Sequence, residues 1–346
     1  MATYASGSLI EAQHYNTFVW GSTDGDPDYN GNSGNNLYNL WGTGYGNKGL
    51  GQTMDLVTAK FDIDPNTSGT QSTGELYAVT STVDQVKAVQ WTGLVAAINR
   101  LRYHQTAANL AINGVSVGST VEVIASINST LSSSRTAMGT GRLAGVDAGA
   151  LPSLGWVFNS TASTQTTTFT RTATFQTGNA ARYFFNGGGI LRVRVTATTS
   201  GSERSVAMVD TINGMGTCDF KYDTNSGFSG TQDGTQPGAG KGYWDMGTSY
   251  LRIGRHVLGT GVYSDDFIEC YAKVAGTTES DGDVGNQVSF QIKLSSGFGA
   301  TGTATGPGGA PTWLTDSMNI AVNFQIDIYE PSTLVLIDSW GTVSVS

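Results

Sequence analysis

The sequence has 346 residues, of which 13% are charged, and it carries a formal net charge of −9 with no run of basic residues. Binding to a phosphate backbone requires clustered lysine and arginine, so this balance excludes a nucleic-acid partner. The charged share is about half that of a typical soluble domain, and glycine, at 47 residues, is about twice as frequent as usual. This composition favours short strands joined by glycine-rich turns over a coiled coil or an α/β enzyme.

Membrane insertion and secretion are not predicted. No stretch of 18 apolar residues is present, and the N-terminal sequence lacks the charged and apolar regions of a signal peptide. The only cysteines, Cys218 and Cys270, are too few for a disulfide framework, so we expect buried, reduced thiols.

Residues 1–80 predict a loop-rich region for attachment and assembly, because glycine, asparagine and aspartate dominate residues 21–36. Four residues there alternate as at the start of a calcium-binding loop: Asp24, Asp26, Asp28 and Asn30. An EF-hand requires glycine at its sixth position and glutamate at its twelfth, where this chain has Tyr29 and Asn35. A calcium site and a solvated polar loop both remain open for residues 21–36.

Residues 81–145 predict a helical segment followed by a linker. Thr82 and Gln85 have the spacing of a capping box, and a second, weaker helix is predicted over residues 121–134. The apolar stripe of the first helix, which we interpret as an assembly surface, has two amide interruptions at Gln90 and Gln105. Its apolar members are Val83, Val86, Leu94, Ile98 and Leu101. A weak repeat relates residues 10–18 to residues 86–94, and both copies predict the start of an amphipathic helix.

Residues 146–346 predict a β domain, because the hydrophobic period changes to two. Five segments alternate clearly: 168–175, 191–198, 267–274, 287–294 and 319–329. Such alternation is typical of antiparallel sheets with one buried face. The predicted fold class is therefore mainly β: a C-terminal antiparallel, jelly-roll-like β-sandwich of about eight or more strands, with an N-terminal loop-rich and helical attachment region.

The glycine run Gly187 to Gly189 lies between an aromatic cluster and the segment "ILRVRV". A phosphate-binding loop requires a helix after its glycines, whereas here an alternating strand follows. We therefore expect a hairpin or a bulge between two strands.

Catalytic motifs are weak throughout the sequence. Gly44, Gly46 and Gly49 match G-x-G-x-x-G without a preceding hydrophobic strand, and Ser116 stands in G-x-S-x-G after a helix rather than a strand. The three histidines share no metal-binding spacing, and the loop acids Asp265 and Asp266 cannot be paired with a second carboxylate from sequence alone. We expect no enzyme and no cofactor, and no metal site is assigned; calcium at residues 21–36 is the one open question.

Tyr243 and Trp244 in "KGYWDMG" lie near a predicted turn. Exposed aromatic rings at such a position can stack on sugars, which makes this pair a candidate glycan contact. The alternative is that the two rings anchor the turn in the core.

Four segments in this order, "NAARYFFNGGGILRVRV", "GYWDMGTSYLRI", "SDDFIECYAKV" and "GNQVSFQIKL", resemble a domain of virion structural proteins of tailed bacteriophages, especially marine and cyanobacterial phages. The "GYGN" element between "IEAQHYNTF" and "VQWTGLVAAINRLRYHQ" is similar to the N-terminal part of the same proteins. The resemblance implies a non-enzymatic tail, neck, baseplate or fibre part, assembled in the bacterial cytoplasm and located in the virion. Its implied partners are other virion proteins and further copies of itself, for which we expect a trimer. A host-surface glycan-binding module is the alternative function.

Overall fold

The structure is a computed structural model that describes the following residues: 12–20, 37, 40, 55–56, 59–60, 86, 88–106, 108, 124–137, 154–158, 164–258, 263–278, 283–297, 318–331 and 340–346. The calcium-loop candidates in 21–36, the glycine motif at 44–49, Val83 and Ser116 lie outside these residues. The described chain is mostly β, with two larger antiparallel sheets, one two-stranded pair and several helices.

In the described residues, three helices with defined bounds precede the two larger sheets: α1 (Ala12–Trp20), α2 (Ala88–Thr106) and α3 (Ile124–Thr136). Both copies of the weak repeat form helices, and both helices begin at the alanine in the third position of the repeat. The helices also contact each other, since the rings of Phe18 and Trp91 meet edge to face with centroids 6.4 Å apart. None of the helices in the described part of the chain is long and apolar enough to cross a membrane.

The N-terminal end of α2 differs from the prediction. Val86 is described, is half-buried and lies before the helix, which begins at Ala88. Valine loses side-chain freedom in a helix, whereas alanine is the best helix former, so the start at Ala88 agrees with intrinsic propensity. Three residues of the predicted stripe, Leu94, Ile98 and Leu101, are buried within the chain, each with no more than 1% of its surface exposed.

Nine strands form the two larger sheets in the described residues: β3 (Leu154–Phe158), β4 (Thr164–Thr174), β5 (Ile190–Thr198), β6 (Thr217–Phe220), β7 (Leu251–Val257), β8 (Phe267–Ala275), β9 (Gln287–Gly297), β10 (Met318–Tyr329) and β11 (Ser344–Val345). Two further strands, β1 (Asp55–Leu56) and β2 (Ala59–Lys60), pair only with each other. The four-stranded sheet has the order β3-β10-β5-β6, and the five-stranded sheet has the order β11-β4-β9-β8-β7.

The hydrophobic alternation is confirmed in the core. Every second residue of 191–197, 268–274, 288–294 and 320–328 is buried, with at most 6% of its surface exposed. In the segment 168–175, Ala173 and Phe175 are buried, whereas Phe169 and Arg171 are half-buried. Both sheets contribute to one hydrophobic core. Cys218 and Cys270 are buried there as free thiols, and burial raises the pKa of Cys218 to about 12, which keeps that thiol protonated.

The predicted hairpin or bulge at Gly187 to Gly189 is wrong, because a helix and not a strand precedes these glycines. Helix α4 (Gly178–Asn186) begins after Thr177, whose side chain accepts a hydrogen bond from the Ala180 amide at 3.0 Å. Strand β5 then follows the glycines, as predicted. Gly188 has a φ of 98°, which is typical of the residue that ends a helix. The turn therefore joins a helix to a strand and is not a hairpin.

Gly189 provides a test of this turn. A Cβ atom at this position would lie 2.5 Å from the Phe184 ring, so the Gly189→Ala variant is expected to lose about 1–3 kcal/mol of unfolding free energy through overpacking. Urea unfolding measures the loss. Gly247→Ala is the control, because a Cβ there meets nothing within 4 Å and its effect should stay within about 0.5 kcal/mol. Equal effects of the two variants would contradict the close packing of Gly189.

A fifth helix, α5 (Glu203–Gly214), was not predicted. Ser202 caps it, and its buried residues include Met208 and Ile212 of the hydrophobic core. The helix contacts β5 and β10 of one sheet and β7 and β8 of the other. Its inner face therefore packs between strands of both sheets.

Candidate functional site

The structure buries Tyr243 of the candidate glycan pair in the core, and Trp244 is partly buried and packs against that core. Tyr243 is 0% exposed, its ring stacks on Phe185 at 4.7 Å, and its hydroxyl donates to the Gly285 carbonyl at 2.9 Å. Trp244 is half-buried, and its Nε1 donates to the side-chain oxygen of Asn186 at 2.8 Å. Neither face of the Tyr243 ring is available to a sugar, so the alternative interpretation, a core anchor, describes this pair.

The predicted assembly surface on α2 is also occupied within the chain. Leu94, Ile98 and Leu101 are buried in the single chain, so they form no open surface for a second subunit. The amide interruption Gln105 donates to the Ser134 carbonyl of α3 at 3.0 Å. The stripe of α2 that we interpreted as an assembly surface is therefore in contact with other parts of the same chain.

His104 connects α2 to the glycine run. It is 2% exposed, and its Nε2 lies 2.9 Å from the carbonyl oxygen of Gly187. A carbonyl only accepts, so Nε2 carries the proton in this contact. The contact satisfies a carbonyl at the C-terminal end of α4, where the helix has no further amide to offer. His104 is thus a buried connection between the helical region and the β region.

The feature that sequence reasoning missed is a charged cluster on the five-stranded sheet, on the face opposite the core. It begins with a bulge in β7, where the register against β8 shifts between Arg252 and Gly254. In a regular strand, residues three apart point to opposite faces, but one extra residue brings them to the same face. Arg252 and Arg255 therefore both reach Oε1 of Glu269, at 2.7 and 3.4 Å.

Cross-strand register completes the cluster. Glu269 of β8 lies opposite Arg255 of β7 on one side and Lys293 of β9 on the other. The Nζ of Lys293 is 3.9 Å from Oε2 of Glu269, and the Tyr271 hydroxyl donates to the same oxygen at 2.7 Å. Opposite charges in directly facing positions stabilise an antiparallel sheet.

Glu269 is ionised at neutral pH. Burial alone would raise its pKa, but hydrogen bonds from Tyr271 and Arg252 and the charges of Arg252 and Arg255 lower the pKa below its ordinary value. Burial and the hydrogen bond to Glu269 raise the pKa of Tyr271 to about 12, so its hydroxyl stays a donor. The carboxylate side chain is only 5% exposed and acts as the anchor of the cations around it.

Aromatic rings lie beside these cations. The Arg255 guanidinium is 4.7 Å from the centroid of the Phe267 ring, and Lys273 Nζ is 4.6 Å from that of Tyr250. We call the set of Arg252, Arg255, Lys273 and Lys293, with Glu269, Tyr271, Phe267 and Tyr250, the basic face. Part of it could be predicted, since the alternation that buries Ile268 and Cys270 also turns Glu269 and Tyr271 away from the core.

Comparison of the chain with protein-family models, with curated proteins and with solved structures finds no match. In the part of the chain that the structure describes, no group of three or more histidine, cysteine, aspartate or glutamate side chains is placed to hold a metal ion. The geometry of the basic face and of the core carries the functional argument.

Proposed function

We propose that this chain is a structural component of a tailed-bacteriophage virion, from the tail, neck, baseplate or fibre, and that it assembles with other virion proteins and with copies of itself. The helical N-terminal region would dock to the particle, and the β region would project or pack outward. The proposal rests on the resemblance of sequence segments that are far apart in the chain.

One observation supports treating that resemblance as a single structural unit. The four segments span more than 100 residues, yet in the structure they are neighbours. The first forms α4, its glycine turn and β5, and it meets the second where Phe185 stacks on Tyr243. The other two form β8 and β9, which pair along the whole of β8. A shared set of contacting segments is what a common domain requires.

We further propose that the two sheets form a jelly-roll-like β-sandwich. The Phe220 ring of β6 meets the Phe290 ring of β9 edge to face at 5.4 Å, and these strands belong to different sheets. A core shared by both sheets and the position of α5 against both are consistent with this packing.

The test is to locate the chain in particles. An antibody raised against the purified chain is expected to label virus particles recovered from a lysate of the source, at the tail, neck, baseplate or fibre. Light scattering of the purified chain is expected to give three times the mass of one chain. Antibody signal confined to the particle-free fraction would contradict the virion assignment, and a stable monomer would contradict the trimer.

A further inference from the structure

The geometry points to the basic face as a binding site for an acidic polysaccharide, such as a chain of uronic acids. This inference goes beyond a structural role in a particle and does not depend on it. It rests on the charge of the face, on the way its cations are held, and on the side chains between them.

The charge of the face is opposite to that of the chain. Arg252, Arg255 and Lys293 lie against two carboxylates, Glu269 and Asp233. Lys273 lies over the Tyr250 ring, so among these described groups the four cations exceed the two carboxylates by two charges. The whole chain carries −9. A local positive field on an acidic protein concentrates anionic ligands there and leaves the rest of the surface repulsive to them.

The two arginines of the face are held in place before any ligand arrives. Arg252 donates through Nε to Gln236 at 2.8 Å and through a terminal nitrogen to the Thr235 carbonyl at 3.1 Å, besides its bond to Glu269. Arg255 is fixed between Glu269 and Asp233. Because these side chains are already ordered, binding an anion costs little further conformational entropy.

Lys293 and Lys273 are the cations with the greatest freedom to bind. Lys293 Nζ lies 3.9 Å from Oε2 of Glu269, and its side chain is 40% exposed, more than those of the two arginines. Lys273 is half-buried and stands over the Tyr250 ring. Ammonium groups placed in this way can each donate to a carboxylate of a bound chain.

A sugar fits the surroundings of these charges better than an acidic protein segment does. Tyr250 and Tyr271 are half-buried residues of this face, and aromatic side chains beside cations suit a pyranose, which has one apolar face. On the adjacent strands β9 and β4, Gln291 pairs with Thr170 and Lys293 pairs with Thr168, and both threonines are exposed. Amides and hydroxyls beside cations suit ligands that combine hydroxyl groups with carboxylates, as uronic acids do.

The experiment is affinity electrophoresis of the full chain in native gels that contain alginate, a polyuronate, with neutral dextran as the reference polymer. Alginate is expected to retard the chain at low ionic strength, and the retardation should weaken as salt rises. The Lys273→Gln/Lys293→Gln variant is expected to bind at least about tenfold more weakly, since two charge-assisted hydrogen bonds are lost.

Lys221→Gln is the matched control, because Lys221 follows β6 at the edge of the other sheet and is half-buried like the two lysines of the face. Its affinity for alginate should change less than about twofold. Retention of alginate binding by the control and its loss in the double variant support the proposal. Absence of retardation, equal weakening of both variants, or retardation by single-stranded DNA but not by alginate would each overturn it.

Discussion

The Phe185→Ala variant is expected to lose about 3–5 kcal/mol of unfolding free energy. Phe185 is 0% exposed and lies at the centre of an aromatic cluster. Its ring centroid is 4.7 Å from that of Tyr243, 5.1 Å from that of Phe184 and 5.9 Å from that of Phe220. These rings come from α4, from the loop before β7 and from β6, so truncation opens a cavity where three parts of the fold meet.

Urea unfolding followed by tryptophan fluorescence measures this loss. Tyr183→Ala is the control on the same helix, because Tyr183 is half-buried and the Arg182 guanidinium lies over its ring at 5.0 Å. Its cost should be about 1 kcal/mol, typical of substitutions outside the core. A Phe185→Ala variant no less stable than the control would contradict the position of Phe185 at the centre of the core.

The strands could be predicted from the sequence because burial acts on every second residue. Each strand of the core has one side buried in the shared interior. Apolar residues are therefore needed at every second position, which gives β5, β8, β9 and β10 a two-residue hydrophobic period. The sequence pattern does not show which strands pair with each other. That β4 pairs with β9, more than 100 residues away, depends on tertiary packing that alternation alone does not encode.

Helix α4 shows where local signals compete. Ala181, Phe184 and Phe185 follow a three-four spacing and are all buried, which is a helical signal. The segment has nine residues and is rich in aromatic side chains, which favour strands, and glycines follow it. The N-cap at Thr177 and the burial of that one face override the propensity.

Only part of the basic face could be predicted from the sequence, because the rest depends on which strands pair. Alternation in β8 turns Glu269 and Tyr271 away from the core, but it does not show which cations will stand beside them. The bulge between Arg252 and Gly254 brings both arginines of β7 to the carboxylate. A Cβ atom at Gly254 would meet the Phe228 ring, so a larger residue does not fit at this end of the bulge. A bulge depends on the pairing of two strands and has no signature in one strand alone.

The Arg204→Met variant is expected to lose about 3–5 kcal/mol of unfolding free energy at pH 7.5. Arg204 of α5, Asp266 just before β8 and Ser296 of β9 are all 0% exposed. Arg204 donates to the Ser296 hydroxyl at 3.0 Å, and Asp266 accepts from the Gly297 amide at 2.9 Å. Removing the guanidinium leaves a buried carboxylate without its compensating charge.

The pH dependence of the stability loss distinguishes the charge of Arg204 from the packing of its side chain. Burial raises the pKa of Asp266 from 3.8 to about 6, although hydrogen bonds from Gly297 and Ser296 and the charge of Arg204 lower it. Its pKa in the folded chain is therefore above that in the unfolded chain, and the stability this group contributes is fully present below pH 3.8 and is lost as the pH rises through 6. At pH 5 the wild-type carboxyl is mostly protonated, so Arg204→Met should cost less there than at pH 7.5.

Asp266→Asn supplies the matched background, because its side-chain oxygen can still accept from Gly297 but cannot ionise. Urea unfolding of the four combinations at pH 5 and pH 7.5 gives the coupling between Arg204 and Asp266. In the Asp266→Asn background, Arg204→Met is expected to cost little, with the same value at both pH values. If the loss is independent of pH in the wild-type background, Arg204 stabilises the fold by packing of its side chain and not by its charge.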